Sequence, residues 1–362
     1  MLSAESYSTV YFIVVTLLTM VSVATMCVGG NKLFFRCHKE KYTILITSLI
    51  LALFIGLRPV DDVFVDTVAY TNLFELYQRG DYSIIYHSSE LAFNTLTVLC
   101  AKYGTLSVYF TMIALLYFLP IAYTAGKMSK NQGFALFVFF LGSFSFYSYS
   151  VNGLRQGVAT SLILLACTLI YCDKKWLVGI LVGILGVLFH TSTLLPFVAI
   201  LIARYYSKSD LFLIVWLVSV FVSLFFPSAL GGLSSSIDLL IQDDRLSRYA
   251  EGDAAKGLFS STGFRFDFLL YSLLPILVAY FFKLKGKTKD ELYERLLCVY
   301  LITNSFWVIF IRANFSNRFA YLSWFLYPLV LAYPLLNIRL FRRQGLVAST
   351  VMVSMLILTL IL

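Results

Sequence analysis

Residues Leu211–Phe226 read LFLIVWLVSVFVSLFF, sixteen positions without a charged side chain. A helix lying on a soluble core keeps a polar face, and this stretch has none. Comparable runs cover Trp176–Phe189 and Val347–Leu362. Crossing the hydrocarbon core of a bilayer takes about 20 largely apolar residues as a helix. A membrane β-barrel is the other solution, but its strands alternate apolar and polar positions instead of running on. The whole chain agrees with the local reading: of 362 residues 60% are hydrophobic and 13% are charged, where a soluble domain has about 25% charged. The expected fold class is all-α, a polytopic transmembrane helical bundle forming a single integral membrane domain over residues 1–362.

About twelve spans are expected, near 8–28, 42–57, 105–125, 133–150, 154–172, 176–190, 193–206, 211–229, 266–282, 292–311, 318–337 and 345–362. The first has no basic segment before it and no small-residue cleavage site, so it reads as a retained span. Residues 90–103 are too short and polar to cross and read as an interfacial or re-entrant helix. Loops at 31–41, 126–132, 173–175, 204–210, 283–295 and 339–343 carry 18 Lys and Arg, against 10 in the alternate set. The positive-inside rule makes the first set cytoplasmic. The two long loops 58–104 and 230–265 then face outward, as do both termini. The net charge of +9 is explained by topology, and nucleic acid is not an expected partner. The six cysteines form no CxxC or Cys/His pattern; most lie in apolar runs and read as small core residues. No metal and no cofactor are expected.

The kind of cation differs between the two sides. The cytoplasmic loops hold 12 Lys and 6 Arg; the outer loops hold 8 Arg and only Lys102 and Lys256. A point charge suffices to hold topology, whereas arginine's planar fork suits bidentate recognition of phosphate or carboxylate. Structural pairing with outer acids such as Asp61, Asp62, Asp66, Asp243 and Asp244 is the plain alternative. Three inward-running spans open alike: Asn152-Gly153-Leu154-Arg155-Gln156, Thr262-Gly263-Phe264-Arg265 and Ser316-Asn317-Arg318. A cation in a first turn opposes the helix dipole at a cost of about 0.3–1 kcal/mol. Three on one face suggest an anion seated among guanidinium groups and unpaired N–H groups, unless loop carboxylates relieve them.

Phe189-His190-Thr191-Ser192-Thr193 closes the sixth span at the same boundary. An imidazole facing an arginine-lined cleft is a candidate for proton transfer near neutrality; an interfacial hydrogen-bonded histidine is the alternative. His38 and His87 carry no such pattern. After the second span comes Arg58-Pro59-Val60-Asp61-Asp62-Val63-Phe64-Val65-Asp66-Thr67-Val68-Ala69-Tyr70, whose acids and aromatic ring could line a sugar-binding rim or form an acidic solvated loop.

Taken together these segments resemble the EpsG-like family of bacterial polysaccharide polymerases, relatives in role of the Wzy O-antigen polymerases. The resemblance rests on Gly56-Leu57-Arg58, Asp66-Thr67-Val68-Ala69-Tyr70, Glu90-Leu91-Ala92-Phe93-Asn94, Val151-Asn152-Gly153-Leu154-Arg155-Gln156-Gly157-Val158-Ala159, Leu188-Phe189-His190-Thr191-Ser192 and Asn317-Arg318-Phe319-Ala320-Tyr321. The family often has a Gly-rich stretch near an Asp-Tyr pair where this chain has Pro-Val-Asp-Asp-Val-Phe, which leaves the roles of Asp61 and Asp66 open. The resemblance implies a GT-C-like membrane glycosyltransferase at the outer, periplasmic face of the bacterial inner membrane. Its donor and acceptor would be undecaprenyl-diphosphate-linked oligosaccharides, and a chain-length regulator is a further partner it suggests. On this reading Arg58, Arg155, Arg265 and Arg318 hold the diphosphate without metal. His190 is the general base, with Asp66 as the other candidate, and Asn152, Gln156, Tyr70 and Glu90 contact substrate. An O-antigen ligase, a membrane acyltransferase and a lipid-linked oligosaccharide flippase are the rival readings. A flippase would call for internal repeats and midplane charges, which this chain does not display.

Overall fold

The computed structural model describes residues 2–27, 37–83, 85, 88–129, 131–226, 264–286, 290–312 and 316–361. His87 and almost all of the outer loop 230–265, with Asp243, Asp244, Arg245, Arg248 and Lys256, lie outside the described residues. Among the described residues every regular element is helical. In chain order they are α1 (Ser6–Cys27), α2 (Cys37–Gly56), α3 (Thr67–Gln78), α4 (Leu91–Tyr103), α5 (Leu106–Met128), α6 (Gly133–Leu141), α7 (Phe144–Val151) and α8 (Leu154–Tyr171). There follow α9 (Trp176–Phe189), α10 (Leu194–Tyr205), α11 (Ser209–Phe225), α12 (Phe266–Gly286), α13 (Glu291–Ile309), α14 (Ser316–Trp324), α15 (Tyr327–Asn337) and α16 (Gln344–Ile361).

Within the described residues the expected runs are largely helical, yet fewer helices are long and apolar enough to cross a membrane by themselves. Among the described residues six qualify: α1, α5, α8, α12, α14 with α15, and α16; the bent pair α6–α7 makes a seventh. Helices α9 to α11 are apolar but shorter, and α2 and α13 carry charges in their first turns. The 90–103 segment is α4, a helix of 13 residues. Apolar side chains on α1, α9, α11 and α16 stay exposed, among them Leu17, Leu181, Leu217 and Ile357. On a soluble protein such faces would be a liability; against acyl chains they are the expected surface. Helix α8 is the opposite case, with 89% of its span buried inside the protein.

Breaks in the helices are repaired by neighbours, as an apolar solvent requires. Pro120 in α5 cannot donate to Leu116 O; the Ser161 hydroxyl of α8 lies 3.4 Å from that carbonyl and 2.7 Å from Tyr117 O. Pro334 likewise frees Val330 O, which accepts the Tyr293 hydroxyl of α13 at 2.9 Å. Between α6 and α7 the chain bends by 69° at Gly142-Ser143. There Leu141 O accepts the Tyr11 hydroxyl at 2.7 Å and Gly142 O accepts the Thr359 hydroxyl at 2.8 Å. Helices α1 and α16 thus satisfy the carbonyls the bend releases. The bend delivers Val151 and Asn152 to the end of the bundle where α3, α4 and the C-terminus of α9 also gather.

Candidate active site

Arg155 is the second residue of α8, following the cap residue Gly153. The turn from α7 is tight, since a Cβ on Gly157 would lie 2.7 Å from Tyr149 O. A side chain there would lift the first turn of α8 off α7 and carry Arg155 with it.

The Arg155 guanidinium meets one oxygen of Glu90, and the other oxygen of the same carboxylate meets Nδ1 of His190. Glu90 stands at the cap of α4 but makes no capping bond with its side chain; both oxygens face these two partners instead. The carboxylate is 8% exposed, the arginine 20% and the imidazole 23%, so the acid lies behind two groups that reach the surface. Burial pushes the Glu90 carboxyl up, but the His190 hydrogen bond and the Arg155 charge outweigh it and hold the group below its ordinary value. A carboxylate can only accept, so Nδ1 of His190 is the donor in this contact, and in the neutral imidazole Nε2 is then the nitrogen that accepts.

The backbone around the imidazole is fixed. His190 N–H donates to Gly186 O at 3.1 Å, and its carbonyl accepts from Thr193 N–H at 3.1 Å and the Thr193 hydroxyl at 2.7 Å. The Arg155 guanidinium also lies 5.9 Å from the centre of the Phe93 ring, one turn along α4 from Glu90. The first turn of α14 joins the same region: Gln156 Nε2 donates to Arg318 O at 3.0 Å, and the Tyr149 and Tyr321 rings are 4.6 Å apart. Among the described residues, Asn152 Oδ1, Ser192 Oγ and Asn317 Oδ1 are buried without a hydrogen-bond partner. Buried polar atoms are rarely left so. These three are neighbours in sequence of Arg155, His190 and Arg318, and they fit a ligand rich in hydroxyl groups, which can donate to the two amide oxygens.

Other residues singled out from the sequence make contacts of their own. Arg58 is 5% exposed and is a wall residue. It donates to Ile55 O at 3.0 Å, to the Thr67 hydroxyl at 3.1 Å and to Val151 O at 3.2 Å, with the Phe110 ring 4.6 Å away. Its Nη1 and Nη2 bond the C-terminus of α2 and the α3–α7 junction, and its Nε is buried without a hydrogen-bond partner among the described residues. Arg265 grips Asp267 with Nε at 2.9 Å and Nη2 at 2.6 Å, over the Phe268 ring at 3.6 Å. Asp66 caps α3 beside Thr67, and the Glu90–His190 pair is built without it. Tyr70 is 2% exposed and packs 5.5 Å from Phe93, which leaves no ring face for a sugar. Arg79 pairs with Glu75 on the exposed side of α3 at 3.4 Å.

So the helix-start arginines Arg155 and Arg265 do have carboxylate partners, and the partner of Arg155 is Glu90, outside the acids named for that role. The sequence reading also missed that Glu90 orients His190. The signal was an acid opening an apolar helix in a loop of otherwise ordinary composition. Among the described residues no group of three or more His, Cys, Asp or Glu side chains is placed to hold a metal ion.

A buried carboxylate that fixes an imidazole by Nδ1 and steadies an arginine beside it can take a proton at Nε2 while holding an anion nearby. No curated protein and no solved structure matches the chain. The model of the EpsG family matches residues 41–362, nearly the whole sequence and every segment just described, and the chain belongs to the EpsG family.

Proposed function

We propose that this protein is a polysaccharide polymerase of the membrane, transferring a growing glycan from undecaprenyl diphosphate onto a lipid-linked repeat unit at the outer face of the inner membrane. Family membership supports a polymerase-like glycosyltransferase. The observation that carries the reading further is the single carboxylate of Glu90 shared between His190 and Arg155. His190 Nε2 takes the proton of an acceptor hydroxyl. The freed oxygen bonds to the anomeric carbon of the donor as the carbon–oxygen bond to the diphosphate breaks, and undecaprenyl diphosphate leaves with that electron pair. Glu90 stays ionised and balances the imidazolium, as a carboxylate does behind any histidine base. Arg155 and Arg318 stabilise the departing charge, and Asn152, Gln156 and Asn317 orient sugar or phosphate oxygens. The outward orientation rests on the excess of Lys and Arg in the opposite loops.

The test is to supply purified protein in liposomes with lipid-linked repeat units. The expected product is a ladder of lipid-linked glycans differing by one repeat. Transfer of single repeats to a lipid A core alone would make it a ligase, and movement across the bilayer without new glycosidic bonds would make it a flippase.

A further inference from the structure

At the other end of the bundle lies a polar cavity of about 610 Å³, which the chemistry above does not use. Helix α1 connects the two ends. Its first turn holds Tyr7, whose ring is 5.8 Å from Phe64 beside Arg58, and its 22 residues cover roughly 33 Å before Cys27 reaches the cavity. Arg339, Arg342 and Arg343 frame the opening, and Met26, Leu335 and Leu346 line its apolar part.

The arginines are carried on a built turn. Gln344 Oε1 accepts the N–H groups of Leu340 at 3.2 Å and Phe341 at 3.0 Å, while its Nε2 donates to Leu335 O at 2.7 Å. Asn337 Nδ2 ties the preceding helix end to Met128 O at 3.3 Å. The floor is equally close-fitted, because a Cβ on Gly345 would fall 2.0 Å from Met26 O. Three further cations at this end have acids: Lys127 meets Asp173 at 2.9 Å, Lys283 meets Asp210 at 2.8 Å, and Arg295 meets Glu291. Among the described residues no carboxylate pairs with Arg339, Arg342 or Arg343. Three forked cations on a fixed turn, half ringed by apolar side chains at a span end, match a phosphate diester joined to acyl chains. The volume suits a headgroup with its glycerol.

We propose that this cavity binds the phosphate-bearing headgroup of an anionic phospholipid. The same chemistry would accept free phosphate, so the test separates the two sources. Full-length protein in detergent is titrated with phosphatidylglycerol, with phosphatidylcholine and with sodium phosphate, reading bound lipid by native mass spectrometry and protection by thermal unfolding. Phosphatidylglycerol is expected to be retained and protective, and the R339Q/R342Q/R343Q variant to lose about tenfold or more of that affinity. The triple lysine variant is expected to fall between the two, since the charge remains without the fork. Single glutamine variants give the same reading if the triple variant does not fold. Equal phosphatidylglycerol binding by wild type and the glutamine variants overturns the site. Equal binding by wild type and the lysine variant reduces it to diffuse surface charge. Protection by sodium phosphate that phosphatidylglycerol does not exceed overturns the lipid assignment.

Discussion

Glu90 is the residue on which the candidate site turns, because one carboxylate serves two partners of different function. Glu90→Gln keeps the size of the side chain and removes the charge. The imidazole then loses the anion that fixes its tautomer, and Arg155 loses its counter-charge. Polymer formed per mole of folded protein is expected to drop by about 10²–10⁴-fold, the range of general-base assistance. The same residue gives a pH signature. Its carboxyl is held below the ordinary 4.5 in the folded protein, so the stability it contributes is fully present above that value and is lost as the pH falls through the depressed one. Wild-type thermal stability should therefore decline below about pH 4.5 by a component that Glu90→Gln lacks, and identical acid profiles would remove Glu90 from the ion pair. Arg155, His190 and Glu90 were each legible in the sequence as candidates. Their union was not, because it spans separations of 65 and 100 residues and depends on how α4 seats against α8 and α9. The packing of Arg58 and Tyr70 was hidden for the same reason: an arginine or tyrosine at a boundary reads alike whether it is exposed or enclosed by neighbours.

Elements were easier to read than their breaks. An uncharged run of helical length in a chain this apolar has no other stable form in lipid, and the described parts of these runs are helical apart from their breaks. The bend at Gly142-Ser143 sits inside such a run and leaves little trace, since its released carbonyls are satisfied by Tyr11 and Thr359, 130 and 217 residues away. The proline sites make this repair testable. Tyr293→Phe removes the hydroxyl from Val330 O, which Pro334 has already deprived of its helical donor. An interhelical hydrogen bond in a membrane protein is worth about 0.6–2 kcal/mol, so unfolding in detergent should occur at lower temperature. Polymer yield per mole of folded protein should stay unchanged, because α13 and α15 meet there at the end of the bundle remote from Glu90. A Tyr293→Phe variant with wild-type stability would mean the freed carbonyl is met in another way.

At the scale of the whole molecule, the bundle separates two polar ends: one holding the Glu90–His190–Arg155 cluster, the other the lysine-rich loops and the arginine-framed cavity. The charge asymmetry that defines these ends was plain in the sequence, because topology is set by loops that can be counted. The division of labour between the ends was not, since it depends on which cations find carboxylates after folding. The proposal that the first end is a metal-independent transferase centre stands on His190 acting as the base. Its most direct test is polymer formation by purified His190→Ala, per mole of folded protein, with binding of the lipid-linked repeat unit measured on the same sample. The expected result is unaltered folding and repeat-unit binding with polymerisation slowed by about 10²–10⁴-fold; turnover close to wild type would contradict it.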